Sequence, residues 1–259
     1  MRGAFALLSL LAGGAAQARF APALDVPYRL VRVQEHHDDR DGVRRFESER
    51  RIVFTRRGDG YLARMTLIAT QDSRSGSDYA MLATALNGRA IDVELDRGGH
   101  LLRIRDLDAI WARLRAAIGT AATRDDLRLP LWRVHDAATT AQRVQVVAGV
   151  LSMVLAPDDT GRRPGSRTVT LPPVGAVQPP LSMNGTETVR VSGRRVSVTV
   201  SAAGKDGGTA ISLARSSVVD RRSGLVTQQH DDQRVDAGVV GERHVNRDVT
   251  RLTFFPAVS

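Results

Sequence analysis

The sequence feature that most constrains the fold is the segment 106–157, whose apolar residues are spaced as in helices. It separates two halves of the chain whose residue patterns are typical of β-strands. Its first run places apolar side chains three or four residues apart, on one face of a helix: Leu107, Ile110, Trp111, Leu114 and Ile118. We expect the carboxylate of Asp106 to cap this helix and Gly119 to end it.

A second helix is predicted to follow the cap signal Thr139-Thr140 and to close at Pro157. It has one broad apolar face, made of Val144, Val147, Val150, Leu151, Val154 and Leu155. Burial of each large apolar side chain on such faces contributes roughly 1.5–3 kcal/mol, so both helices need an apolar surface to lie against.

Both flanking halves alternate apolar and polar residues between tight turns, as half-buried antiparallel strands do. The first half predicts strands at 28–35, 51–55, 61–68, 91–95 and 100–104. A crossing rich in proline and glycine, residues 157–181, leads to the second half. There we expect some seven strands, among them 167–171, 188–192, 195–201, 209–214, 225–229 and 249–255.

These elements predict an α+β fold, in which a large, curled, mainly antiparallel sheet resembles half of a barrel and two helices pack on its concave face. Residues 19–259 would form a single domain, with strands over 28–105, the helical block, the crossing, and strands again over 186–255. Short antiparallel strands joined by tight turns exclude a doubly wound parallel sheet.

The start of the chain has the parts of an export signal. Arg2 precedes the short apolar run 4–12, and Ala16-Gln17-Ala18 supplies small residues for cleavage after Ala18. The run is too short to span a bilayer as a mature helix, and a buried N-terminal helix is the alternative interpretation. Gly14 stands where a bacterial lipoprotein would carry its modified cysteine, so a lipid anchor is not expected. We therefore expect a periplasmic or secreted protein.

Composition narrows the classes of function. The chain has no cysteine, which excludes disulfides, thiolate metal sites and cysteine nucleophiles. Its net charge of +9 comes almost wholly from arginine, because Lys205 is the single lysine. The arginines are scattered and aromatic side chains for base stacking are few, so nucleic acid is not an expected partner. An anionic surface, such as lipid head groups, is a candidate neighbour.

Two clusters of histidine and aspartate, residues 36–39 and 230–232, are the candidate metal ligands. Neighbours on a strand point to opposite faces, so each cluster offers at most one pair of residues two apart, and solvated turns are the favoured interpretation. We expect no metal and no other cofactor. No nucleophile elbow or phosphate-binding loop occurs, which favours a protein that is not an enzyme. A hydrolase with dispersed carboxylates is the enzymatic alternative.

Two segments, residues 94–102 and 218–226, have similar sequence patterns, here called the echo. Each has an aspartate, Asp96 or Asp220, then an arginine, further turn residues and two apolar residues. Hairpin loops favour aspartate at their start and glycine near their end, which explains the echo without a duplicated module, the alternative.

Both tryptophans lie in the helical block, and each is either a core residue or the wall of a cavity between helices and sheet. The second interpretation gives the candidate ligand-binding residues Trp111, Leu114, Trp132, Val147 and Leu151.

The order of elements, an exported chain with antiparallel strands, a helical insertion and returning strands, resembles the periplasmic lipoprotein-carrier and lipid-carrier half-barrel proteins. The segment Asp220-Arg-Arg-Ser-Gly-Leu-Val226 is similar to an Asp-x-x-x-Gly-Leu hairpin of such sheets. The resemblance implies a space between sheet and helices that accepts acyl chains. It thus implies a soluble protein that binds a lipid or a hydrophobic segment of an envelope protein partner. A structural or envelope-assembly protein without a ligand is the alternative.

Overall fold

The computed structural model describes residues 20–39, 42–73, 83, 85–121, 132–171, 182–239 and 242–257. The predicted export signal, residues 1–18, and residues 172–181 of the predicted crossing lie outside these ranges. Within them, no helix is both long enough and apolar enough to cross a membrane.

The first half of the chain folds into a five-stranded antiparallel meander, as the alternating pattern predicts. Its strands are β1 (Pro27–Asp38), β2 (Gly42–Arg57), β3 (Gly60–Asp72), β4 (Ala90–Leu95) and β5 (Leu101–Ile104). β2 begins well before residue 51, where the sequence pattern starts. Its charged first part is held by hydrogen-bonded ladders to β1 and β3 on both sides, which local alternation does not reveal.

The second half forms six strands among the described residues, not the seven expected. They are β6 (Gly165–Leu171), β7 (Met183–Ser192), β8 (Arg195–Asp206), β9 (Thr209–Asp220), β10 (Leu225–Val239) and β11 (Glu242–Pro256). β6 lies inside the predicted crossing, so part of that segment is sheet.

All eleven strands belong to one sheet with the order β5-β4-β3-β2-β1-β11-β10-β9-β8-β7-β6. The chain starts at the centre of the sheet, moves outward to β5, and passes through the helices to the opposite edge at β6. It then returns to the centre, where β11 pairs antiparallel with β1. The described edge strands β5 and β6 do not pair with each other, so the sheet is open. The predicted α+β fold with a large curled antiparallel sheet is confirmed.

One face of the sheet, here called the inner face, packs against the helices. Residues directly opposite on neighbouring strands point to the same face, so the register fixes which side chains it carries. Leu30, for example, lies opposite Phe254 on β11 and Arg50 on β2. One row of neighbouring side chains on the inner face runs across strands of both halves of the chain. Its members, in order, are Ser48, Arg32, Leu252, Gln229, Ser217 and Val198.

The two predicted helices are α1 (Leu107–Ala121) and α2 (Thr140–Ser152). α2 begins as predicted, at a capping box. The Thr139 hydroxyl accepts from the Gln142 backbone N–H at 3.3 Å, and the Gln142 side chain accepts from the Thr139 N–H at 2.8 Å. Pro157 does not close this helix but opens a separate 3-10 helix, Pro157–Gly161.

Two predicted features of α1 are wrong. Gly119 does not end the helix, which continues to Ala121. A Cβ at position 119 would lie 3.2 Å from Cζ2 of Trp132, so the glycine makes room for the indole. Asp106 has a φ of 53°, not the extended backbone of an N-cap, and it contributes its carbonyl oxygen, which accepts from the Ile110 N–H at 2.9 Å.

The helices and the inner face share one apolar cluster, here called the helix core. It takes sheet residues from β1–β5, β10 and β11, and none from β6–β9. The inner face of β6–β9 instead contributes to a valine cluster (Val189, Val196, Val198, Val219 and Val226) and a distal cluster (Met183, Ala202, Ile211 and Leu213). Neither contains a residue of α1 or α2, so these helices cover only about half of the inner face.

Candidate functional site

Four of the five predicted ligand-binding residues come together in the helix core. Leu114 is 1% exposed and Leu151 is fully buried, and Trp111 and Val147 are buried beside them. The spacing in the sequence therefore correctly indicated which side of each helix meets the sheet. Side chains of the helix core, not open space, are in contact with these four residues.

Trp111 is held in place by the short helical segment at residues 132–137. Its ring stacks on His135, with centroids 4.2 Å apart and planes 14° from parallel. The Trp111 Nε1–H donates to the His135 carbonyl at 3.3 Å, and His135 Nε2 lies 3.0 Å from the Trp111 carbonyl oxygen. This mutual bonding fixes the tryptophan as a bridge between two helices.

Trp132, the fifth predicted residue, lies outside the helix core and is half-buried. The Arg115 guanidinium sits over its ring, 5.0 Å from the centroid, and its Nε1–H donates to the Arg115 carbonyl at 3.4 Å. The structure therefore does not bring Trp132 to the sheet, and the two tryptophans occupy different environments.

Sequence reasoning missed the aromatic end of the helix core. Tyr28 stacks on Phe254 with centroids 4.8 Å apart, and Phe54 meets Tyr28 and Phe20 edge-on. The Tyr61 hydroxyl donates to the Phe20 carbonyl at 2.8 Å. These rings come from β1, β2, β3, β11 and the segment before β1, so the pairing of these four strands is needed to bring them together.

A cleft of about 490 Å³ opens beside this aromatic end. Its lining includes Tyr28, Leu225 and Phe254 of the helix core, together with Pro22 and the charged side chain of Arg194. The volume lies within the usual range of ligand pockets, roughly 300–1,000 Å³. The cleft thus borders the edge of the helix core.

The inner face also carries arginine close to the helix core. Arg50 lies on the inner face of β2, two residues before Ile52 and opposite Leu30 of β1. Its Nη1 donates to the Ser48 hydroxyl at 2.7 Å. Arg32, opposite Ser48, belongs to the same face. Burial, and after it the charge of Arg32, lower the pKa of Arg50 to about 10, so Arg50 is still charged at neutral pH.

Most described carboxylates with a shifted pKa are held by arginine. Hydrogen bonds from Arg103 and then Arg105 lower the pKa of Glu94 to about 2, and a hydrogen bond from Arg115 lowers that of Asp136 to about 2. Such groups stay ionised near neutral pH and are poor general acids.

Asp159 also pairs with an arginine, but burial raises its pKa. Its Oδ1 lies 2.6 Å from Arg162 Nε, and Nη1 of the same arginine lies 2.6 Å from Glu187 Oε2. Asp159 therefore lies in a network with Arg162 and Glu187 in which its own charge is disfavoured by burial.

The two histidine–aspartate clusters lie on strands separated by β11. His36 points to the inner face, where its Nδ1 is 2.7 Å from Asp248 Oδ1. Asp232 points to the outer face, and a hydrogen bond from Arg247 lowers its pKa. In the described part of the chain, no three or more histidine, aspartate or glutamate side chains gather as a metal site would require.

Asp96 and Asp220 both lie at hairpin turns, as the echo in the sequence indicated. Asp96 Oδ1 accepts from the His100 backbone N–H at 2.9 Å, and Asp220 Oδ2 accepts from the Ser223 hydroxyl at 2.9 Å. The role of aspartate at the start of each loop is therefore confirmed.

No known protein family matches this chain, and no curated protein is significantly similar to it. Among solved structures, lipovitellin, studied for its lipid–protein interactions, aligns with 90% of this chain at 12% identity and a TM-score of 0.46. The alignment spans only 26% of lipovitellin. An outer-membrane channel from Pseudomonas putida F1 aligns over 93% of this chain and 98% of its own at 7% identity, with a TM-score of 0.19. Both likenesses are loose, and neither identifies a family.

Proposed function

We propose that this protein is an exported binding protein, not an enzyme, that holds a lipophilic ligand or a hydrophobic segment of a protein partner on the inner face of its sheet. The supporting observation is the helix core, where the apolar sides of α1 and α2 lie on the inner face and a cleft of about 490 Å³ opens beside its aromatic end. A helix–sheet interface that is apolar on both sides suits an apolar ligand.

The ligand would lie between helices and sheet, along Trp111, Leu114, Val147 and Leu151, with Trp132 at the outer side of α1. These core residues are in contact with each other, so the helices would have to move away from the sheet. An entering acyl chain would then replace apolar contacts with apolar contacts and contribute about 0.8 kcal/mol for each buried methylene. The cleft at Tyr28 and Phe254 gives such a chain access to the edge of the core.

A series of straight-chain alcohols tests this function without any charged head group. Octanol, decanol and dodecanol should bind to residues 19–259 with affinity that rises about fourfold for each added methylene. Displacement of an environment-sensitive fluorescent probe measures the affinity. Affinity that does not depend on chain length would contradict a site that buries the chain.

The burial of Leu114 and Leu151 supports a second candidate, a structural protein whose helix–sheet interface is filled by its own side chains. The two candidates differ in the behaviour of Leu151→Ala. If the interface is permanently filled, the wild-type protein binds no alcohol, and the variant gains a small apolar cavity that binds one. If the interface opens, the wild-type protein already binds the series.

A further inference from the structure

Arg50 is a cation in an apolar part of the inner face. Its neighbours are Leu30, directly opposite on β1, Leu67, directly opposite on β3, and Ile52, two residues along β2. All three are at most 4% exposed. The guanidinium makes one hydrogen bond, to the Ser48 hydroxyl, and no described carboxylate lies within ion-pair distance of it.

This environment differs from that of other arginines in the sheet. Arg64 forms a forked pair with Asp92 at 2.8 and 2.9 Å, and Arg215 forms one with Asp231 at 2.9 and 3.1 Å. A charge removed from water normally has such a partner, because its burial alone is strongly unfavourable. An apolar side chain of similar length at position 50 would suit Leu30 and Ile52 better. The chain therefore keeps a positive charge where stability does not require one.

Arg50 also lies beside a second positive charge. Arg32 is opposite Ser48, on the same face and one residue pair further along the strands. Ser48 is only 1% exposed and accepts its bond from Arg50, which leaves its own hydroxyl hydrogen available as a donor. Arg50 as a whole keeps part of its surface exposed. The guanidinium of Arg50 and the hydroxyl of Ser48 thus lie together on the inner face, with the charge of Arg32 on the adjacent strand.

We propose that Arg50, together with Ser48 and supported by the positive charge of Arg32 on the adjacent strand, binds the anionic head group of a single-chain amphiphile, a carboxylate or phosphate group. The planar guanidinium of Arg50 can donate two parallel N–H groups to two oxygens of such a head group, and the Ser48 hydroxyl can donate a third bond. The chain attached to the head group would contact Leu30, Ile52 and Leu67. This inference rests on the proposed function for the tail, whereas the head-group site can be tested on its own.

Three probes separate head from tail: dodecanoate, dodecan-1-ol and inorganic phosphate. The protein is residues 19–259, and the test variant is Arg50→Met, which keeps an apolar side chain of similar length without the charge. Arg51→Met is the matched control, because Arg51 is the next residue of β2, is exposed and faces the other side of the sheet. Should Arg50→Met fail to fold, Arg50→Gln removes the same charge and keeps a polar end.

The wild-type protein and Arg51→Met should bind dodecanoate at least about tenfold more tightly than dodecan-1-ol, and Arg50→Met should lose this preference. Without ligand, the Tm of Arg50→Met should rise by about 2–4 °C, since an unpaired charge is removed. A preference for dodecanoate that survives in Arg50→Met would overturn the site.

The same probes distinguish failure of the site from failure of the proposed function. Equal affinity of the wild-type protein for dodecanoate and dodecan-1-ol overturns the head-group site and leaves the proposed function standing. Phosphate binding that depends on Arg50, with no binding of either amphiphile, supports an anion site and overturns the lipophilic ligand. Binding of none of the three overturns both.

Discussion

Phe20 lies directly against Gly99, and the contact depends on the missing side chain of the glycine: a Cβ there would be 2.4 Å from Cγ of the ring. Gly99 has a φ of 88°, in the left-handed region that glycine tolerates best. Gly224, in the hairpin that echoes this one in the sequence, approaches the same ring, at 3.2 Å from its Cδ2. The two similar loops therefore meet at one buried aromatic side chain.

Gly99→Ala should destabilise the protein more than Gly193→Ala, by roughly 1–3 kcal/mol, because Phe20 must move as well. Gly193 is the control, since its φ of 55° imposes a similar backbone strain while no atom lies within 4 Å of its added Cβ. Urea denaturation measures both variants. Equal losses would show that the contact with Phe20 does not limit this position.

Thr139→Ala should lower the free energy of unfolding by roughly 0.5–2 kcal/mol, because it removes the side-chain acceptor for the Gln142 N–H. Thr140→Ala is the control, since Thr140 is exposed and is the first residue of α2. Urea denaturation of the two variants makes the comparison. A larger loss at Thr140 would contradict the assigned cap.

Local patterns predicted this cap and every described strand, because the Thr139-Thr140 cap signal and the alternation of apolar residues both involve neighbouring residues. They missed the first part of β2 and the end of β10. Residues 43–50 and 230–236 are mostly charged or polar, and their strand conformation depends on distant partners such as β1 and β9. Arg50 and Ser48 lie in that unrecognised part of β2, so the arginine pair on the inner face could not be predicted.

The helix core shows a second limit of local reasoning. The periodicity of α1 identified Trp111 and Leu114 as members of its apolar face, but it gave no information on which strands they meet. Gly119 was predicted to end α1 because glycine disfavours helices. The structure gives another reason for a glycine at this position, which is the close approach of the Trp132 ring. The sequence does not distinguish Trp132 from Trp111. Their different environments become clear only in the folded structure.

Trp111→Ala should reduce the free energy of unfolding by roughly 3–5 kcal/mol, because the ring is 8% exposed and stacks on His135. Trp132→Ala should cost clearly less, because Trp132 is half-buried outside the helix core. Thermal and urea unfolding of the two variants give the comparison. Similar losses would mean that Trp132 contributes to the core as much as Trp111 does.

His100 should titrate above 6.5, because its ring nitrogens face Asp96 Oδ2 at 3.1 Å and Asp158 Oδ1 at 3.4 Å, and both carboxylates raise its pKa. A pKa raised in the folded state adds stability that is fully present below the unfolded pKa. That stability is lost as pH rises through the folded pKa. The contribution should stay below about 1 kcal/mol, since the side chain is 53% exposed.

NMR titration of the His100 ring measures this pKa directly. Asp158→Asn should lower it while leaving the Asp96 hairpin in place, because Asp158 lies on the separate 3-10 helix. A wild-type pKa at or below 6.5 would show that the two carboxylates do not act on the ring in solution.

Native mass spectrometry of the protein isolated from the periplasm after expression of residues 1–259 shows whether it carries a lipophilic ligand. We expect a chain that begins at Arg19 and carries discrete adducts, which organic extraction removes and lipid analysis of the extract identifies. A single mass for the same chain, with no extractable lipid, would contradict a ligand-binding function and favour a structural protein with a filled core.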